Sequence, residues 1–116
     1  MTPRMAESPR VLVVEDNQDV REMLRLQLGF AGYEVTCAED GLEAIELLER
    51  FEPEVMLVDV VMPRLDGVGL TEHIRAQARY REVPLILLTG LDSSDDRVRT
   101  AMALPHVHHL AKGQSP

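Results

Sequence analysis

The sequence predicts an α/β fold, a doubly wound sheet of five parallel strands covered by helices. Three observations point to it. Short aliphatic runs alternate along the chain with segments whose apolar residues recur every three or four positions. Two of those runs, Val11-Leu12-Val13-Val14 and Val55-Met56-Leu57-Val58, stop at acidic residues, as strands carrying a site at their carboxyl ends do. The length, 116 residues, suits one compact domain and is too short for two ordinary ones. Strands alternating with helices imply right-handed crossovers and a parallel sheet covered on both faces.

The first strand, Val11 to Val14, is apolar at every position, as burial on both faces requires, and ends at Glu15-Asp16. Asn17 or Asp19 caps the first helix, where Val20, Met23, Leu24 and Leu28 recur until Gly32 stops it. Tyr33 to Cys37 alternates as a weak second strand, and Leu42, Ile45, Leu47 and Leu48 form the stripe of a second helix before Pro53. The third strand lies within Glu54 to Val61, with Asp59 directly after its apolar run. Pro63 and Asp66-Gly67 mark a turn; Leu70, Ile74 and Ala78 share one face of a third helix. Pro84 precedes the buried run Leu85-Ile86-Leu87-Leu88, a fourth strand ended by Thr89 and Gly90. Ser93 or Ser94 caps a fourth helix bearing Val98, Ala101, Met102 and Leu104. The acids from Asp92 to Asp96 suit its first turn, and Pro105 closes it. His106 to Ala111 is the fifth strand.

Composition excludes several classes. Apolar residues are 45% of the chain and charged residues 28%, a globular balance, and no run is long enough to cross a bilayer. A net charge of −8 argues against direct nucleic-acid binding by this segment, and Phe30, Tyr33, Phe51 and Tyr80 are too dispersed for a base-stacking platform. Residues 1–8 read as a flexible polar tail without the apolar core of a secretory signal. With the lone Cys37 unable to form an internal disulfide, a cytoplasmic protein is expected.

In a doubly wound sheet, ligands bind where the strands end. The residues at those ends are Glu15, Asp16, Asp59, Thr89 and Lys112: carboxylates, a hydroxyl and an amine. Three converging carboxylates repel one another unless they share a proton or bind a divalent cation, and Mg²⁺, which keeps several waters and accepts phosphate oxygens, fits best. Asp59 is then the natural nucleophile, since an ionised carboxylate attacks phosphorus without a separate base. Thr89 and Lys112 are placed to bind the remaining phosphoryl oxygens.

These residues resemble the receiver domains of two-component response regulators, and the resemblance runs from Val11 through Lys112. Val11-Leu12-Val13-Val14-Glu15-Asp16-Asn17 is similar to the family's first strand and acidic pair. Asp59-Val60-Val61-Met62-Pro63-Arg64-Leu65-Asp66-Gly67 is similar to its phosphoacceptor loop, Leu88-Thr89-Gly90 to its switch hydroxyl, and Leu110-Ala111-Lys112 to the strand ending in its lysine. The resemblance implies a flavodoxin-like strand order of 2-1-3-4-5. It also implies a metal held by Glu15, Asp16, Asp59 and the Val61 backbone carbonyl, and phosphorylation of Asp59 by a histidine kinase or phosphotransfer protein. Such a domain catalyses only its own phosphorylation and dephosphorylation and is no enzyme toward other substrates.

The chain also departs from that pattern. Gly113 stands where the family usually has proline, Pro105-His106 replaces a small pair, and His109 falls where many receivers carry a switching aromatic. His109 is therefore expected to act with Thr89 in switching and to couple it to pH. These departures leave a second reading, a pseudo-receiver that keeps the fold as an interaction module and is never phosphorylated. A phosphatase of the haloacid-dehalogenase type would need an acid where Val61 stands, and a flavodoxin-type module would need a phosphate loop where the chain has Glu15-Asp16-Asn17-Gln18-Asp19. His106 and His108 are expected on one face of the fifth strand and His109 on the other, so that they form no metal site. Residues 113–116 read as a truncated end without the family's fifth helix. Part of the first strand's face should then lie bare, to be covered by self-association, an exchanged element or downstream residues.

Overall fold

The computed structural model describes residues 8–91 and 94–111. The strands are β1 (Arg10–Val14), β2 (Glu34–Ala38), β3 (Val55–Val58), β4 (Leu85–Thr89) and β5 (Val107–Ala111). The helices among the described residues are α1 (Gln18–Phe30), α2 (Gly41–Leu47), α3 (Gly67–Arg75) and α4 (Asp96–Met102), with a short 3₁₀ turn at Ala78–Tyr80. All pairings are parallel and the sheet order is β2-β1-β3-β4-β5, the predicted one. The order reverses between β1 and β3, which fixes where a crevice opens at the carboxyl edge.

Each helix begins at a residue whose side chain accepts a backbone amide: Asn17 from Val20, Asp40 from Glu43, Asp66 from Gly69 and Asp95 from Arg97. Asn17 and Asp40 follow a strand's carboxyl end within three residues, so those two loops are short and rigidly entered. Asp95, and not Ser94, caps α4; Ser93 lies outside the described residues.

One face of the sheet packs into a single core. Leu12, Val14, Met56, Val58, Leu85, Leu87 and Val107 meet Ala44 and Leu48 near α2, Leu70 and Ile74 from α3, and Val98 and Ala101 from α4. The other face behaves differently. Val11 and Val13 are closed off, but Val55 and Leu57 of β3 and Ile86 and Leu88 of β4 are only half-buried. The expectation that β1 would be bare is thus not met. β1 is central, with a strand on each side and α1 lying against it, and the thinner cover falls on β3 and β4.

Several boundaries and faces differ from those predicted. β2 starts at Glu34, and α1 ends at Phe30, two residues before Gly32, which takes φ 102. Met23 is 48% exposed: α1 turns Val20, Leu24 and Leu28 inward and leaves Met23 with Leu26 and Phe30 on the outside. Leu42 and Met102 are likewise exposed. Ala78 is exposed and lies beyond α3, because Gln77 adopts an extended backbone that breaks the helix. His106 precedes β5 in a left-handed conformation, φ 59, and does not share a strand face with His108. His108 is exposed and His109 half-buried, and the histidines form no metal-ligand group among the described residues. The tail expected over residues 1–8, apart from Ser8, and the end at 113–116 lie outside the described residues.

Candidate functional site

The site is assembled by continuing the sheet one residue past its strands. The Glu15 amide donates to Ala38 O and the Asp59 amide to Val14 O, each at 3.0 Å, so both acids sit where the ladders end. That carries their carboxyls into the edge with little exposure, 2% for Glu15 and 5% for Asp59, while Asp16 remains exposed. Glu15, Asp16 and Asp59 can each place a carboxylate oxygen so that all lie within 4.8 Å of one another. At that spacing like charges oppose one another strongly, and hard oxygen donors with one member open to water are a set that suits Mg²⁺.

The loops are braced by hydrogen bonds. Glu15 Oε2 accepts from the Asn17 amide at 3.0 Å, and Asp59 Oδ1 from the Val61 amide at 3.3 Å. From α1, the Arg21 guanidinium reaches back to the carbonyls of Glu15 at 2.9 Å and Asp16 at 3.2 Å. It fixes the acidic loop from outside while adding a positive charge beside it. Beyond Asp59, the Gly67 amide closes onto Val60 O at 2.9 Å. A Cβ at position 67 would lie 2.3 Å from Asp59 O, so only glycine lets α3 start this close to the acid.

Thr89 ends β4, is 1% exposed, and accepts the Leu91 amide at Oγ1, 3.3 Å. That bond uses a lone pair and leaves the hydroxyl proton to donate. His109 pairs with Leu87 on the neighbouring strand, and its Nε2 is buried without a hydrogen-bond partner among the described residues. Val61 is exposed. Ala111, opposite Thr89, is the last described residue, and Lys112 lies outside the described residues. Cys37 is half-buried, and burial pushes its thiol up, the opposite of an activated nucleophile.

Over residues 11–116 the chain matches the family model of the response regulator receiver domain. The chain belongs to that family. Among curated relatives, it is 43% identical to response regulator MprA of Mycobacterium leprae (strain TN) over 89 residues, 77% of this chain and 38% of that protein. With response regulator MprA of Mycobacterium tuberculosis (strain ATCC 25177 / H37Ra) it shares 42% over 91 residues, 78% of this chain and 39% of that one. The chain spans about two fifths of the length of these relatives. Among solved structures, chemotaxis protein CheY4 of Vibrio cholerae superposes with a TM-score of 0.86 at 31% identity, covering 95% of this chain and 91% of that one. The receiver domain of a sensor histidine kinase from Pseudomonas aeruginosa PAO1, with a magnesium ion coordinated in its active site cleft, gives 0.83 at 32%, covering 94% and 88%.

The receiver's acidic cluster was visible in the sequence, but its braces were not. Arg21 carried no motif of its own, and Arg64, whose guanidinium donates to Asp40 from the loop after Asp59, stood out only as part of that loop. The available signal was the second Asp-Gly pair, Asp40-Gly41, which repeats the cap-and-glycine pattern of Asp66-Gly67 at another strand end.

Proposed function

We propose that this receiver takes a phosphoryl group on Asp59 from a histidine kinase or phosphotransfer protein, with Mg²⁺ held by Glu15, Asp16, Asp59 and the Val61 carbonyl. The observation that carries this reading is the convergence of three carboxylates from two adjacent strands on one small volume. Bound there, the cation would offset the charge of the acids and of the incoming phosphoryl oxygens. A carboxylate oxygen of Asp59 attacks phosphorus in line; its O–P bond forms as the bond to the donor breaks, and the electron pair leaves with the donor. As a carboxylate nucleophile, Asp59 needs no separate base. Thr89 contributes its free hydroxyl proton, and Lys112 its ammonium, to the transferred oxygens.

Since Thr89 is buried, drawing its hydroxyl toward the new oxyanions requires β4 and its neighbours to adjust, and His109 lies one strand over on the face that α4 covers. Thr89 and His109 are therefore the proposed switch, and the α4–β5 surface is where a partner reads the phosphorylated state.

The test is incubation with acetyl phosphate and Mg²⁺, followed by intact-mass measurement. Wild type gains one acid-stable, base-labile phosphoryl group and Asp59→Asn gains none. Equal labelling of the variant refutes the assignment. A wild-type protein that takes neither acetyl phosphate nor beryllofluoride is a pseudo-receiver.

A further inference from the structure

The loop that carries Asp59 into α3, residues 59–67, is tied at its ends by backbone bonds already described. Its middle is tied by something else. Pro63 and Arg64 are exposed, and Arg64 adopts φ 66, a left-handed conformation uncommon for a non-glycine residue. From that backbone its guanidinium reaches across to Asp40, donating from Nε at 2.8 Å and also from Nη2 to the same carboxylate oxygen, Oδ2. Asp40 is 4% exposed, and its other oxygen, Oδ1, accepts the Glu43 amide at 2.8 Å to cap α2. Each oxygen of this buried carboxylate therefore has its own task, one holding a helix and one holding the loop.

The backbone adds a second tie at the same place. The Gly41 amide donates to Leu65 O at 3.2 Å, and a Cβ at position 41 would stand 2.5 Å from that oxygen. The β2–α2 corner and the phosphoacceptor loop thus meet backbone to backbone, and the Asp40–Arg64 pair closes the same contact with charge. An exposed ion pair alone does little. This one differs because its acid is buried, so that removing Arg64 strands a carboxylate oxygen away from water.

We propose that Asp40 and Arg64 are positioning residues for phosphoryl acceptance: their pairing fixes the middle of the loop and with it the Asp59 carboxylate and the Val61 carbonyl. This rests on the site reading given above. Neither residue touches the reacting atoms. Their effect passes through the loop to the oxygens that would hold Mg²⁺, in the way that partners behind metal ligands tune affinity roughly tenfold or more.

The variants are Arg64→Gln, which keeps a polar side chain on an exposed position, Asp40→Asn, which still caps α2, and the double variant. Two readouts separate positioning from general stability. In metal-free protein, hydrogen exchange at the Gly41 amide should accelerate in both single variants while the Val13 and Leu57 amides stay protected. In a Mg²⁺ titration followed by amide chemical shifts, each single variant should raise Kd roughly tenfold, and the double variant should be no worse than either, because both remove one interaction. Wild-type Mg²⁺ binding with unchanged Kd in both single variants overturns the clamp and leaves the site reading standing. A wild-type protein that binds neither Mg²⁺ nor beryllofluoride overturns the site reading, and the clamp with it.

Discussion

The two ends of the sheet bury charge in opposite ways. At the amino ends of β4 and β5, Arg75 of α3 is 8% exposed and donates to four carbonyls, those of Tyr80, Val83, Pro105 and His106, at 2.6 to 2.9 Å. Burial pulls its pKa below the ordinary value, yet a guanidinium stays protonated, and its planar fork of donors is matched by acceptors. At the carboxyl ends of β1 and β3, Glu15, Asp16 and Asp59 gather like charges within 4.8 Å. One end is electrostatically complete within the chain and serves the fold. The other concentrates acids of one sign in a small volume, the chemistry that the proposed cation would use.

If this contrast is right, removing a buried charge should have opposite consequences at the two ends. Arg75→Met keeps the apolar stem but strands several carbonyls, and should lower the unfolding free energy by on the order of 3 kcal/mol in a urea melt. Asp59→Asn relieves repulsion and should melt no lower than wild type in metal-free buffer, while losing all phosphorylation. A loss of stability in Asp59→Asn matching that of Arg75→Met would erase the distinction.

A smaller effect sharpens it. Mg²⁺ at a hundred times its Kd should stabilise the folded chain by about 2.7 kcal/mol, and Asp16→Ala should shrink that gain at the same concentration by about 1.4 kcal/mol for each tenfold loss of affinity. Thermal melts with and without the ion check this, and an undiminished gain in Asp16→Ala would remove that residue from the metal set. The smallest effect concerns acid. The Glu43 amide and then the Arg64 guanidinium hold the Asp40 carboxyl below its ordinary value, against the opposing effect of burial. A carboxyl whose folded pKa is depressed contributes stability above its unfolded pKa and loses it as pH falls through the folded one. Asp40→Asn should therefore flatten the stability profile below about pH 4 and leave the shape of the profile at neutral pH unchanged. Urea melts across that range measure it, and an identical acid slope in wild type and variant would deny Asp40 this role.

The strands and the acids were legible because each is written locally: an uninterrupted aliphatic run marks a strand covered on both sides, and an acid directly after it marks the edge. Helix faces were less so. α1 carries two apolar stripes, Val20-Leu24-Leu28 and Met23-Leu26-Phe30, and only packing against β1 and β2 decides which turns inward. The arginines were illegible for a different reason. Arg21, Arg64 and Arg75 act on carbonyls or on an acid whose position is set by the tertiary fold, and nothing adjacent to them in sequence announces it.

β1 is flanked on both sides, by β2 and β3, whereas among the described residues β5 is an edge strand bonded to β4 alone. Substitutions in β5 disturb one ladder and leave the pairing that brings Glu15, Asp16 and Asp59 together untouched. This is a division of labour within the sheet: the acids gather at its centre, and the margin can change without moving them. The departures of this chain from its family's pattern within the described residues, Pro105, His106 and His109, all fall at that margin.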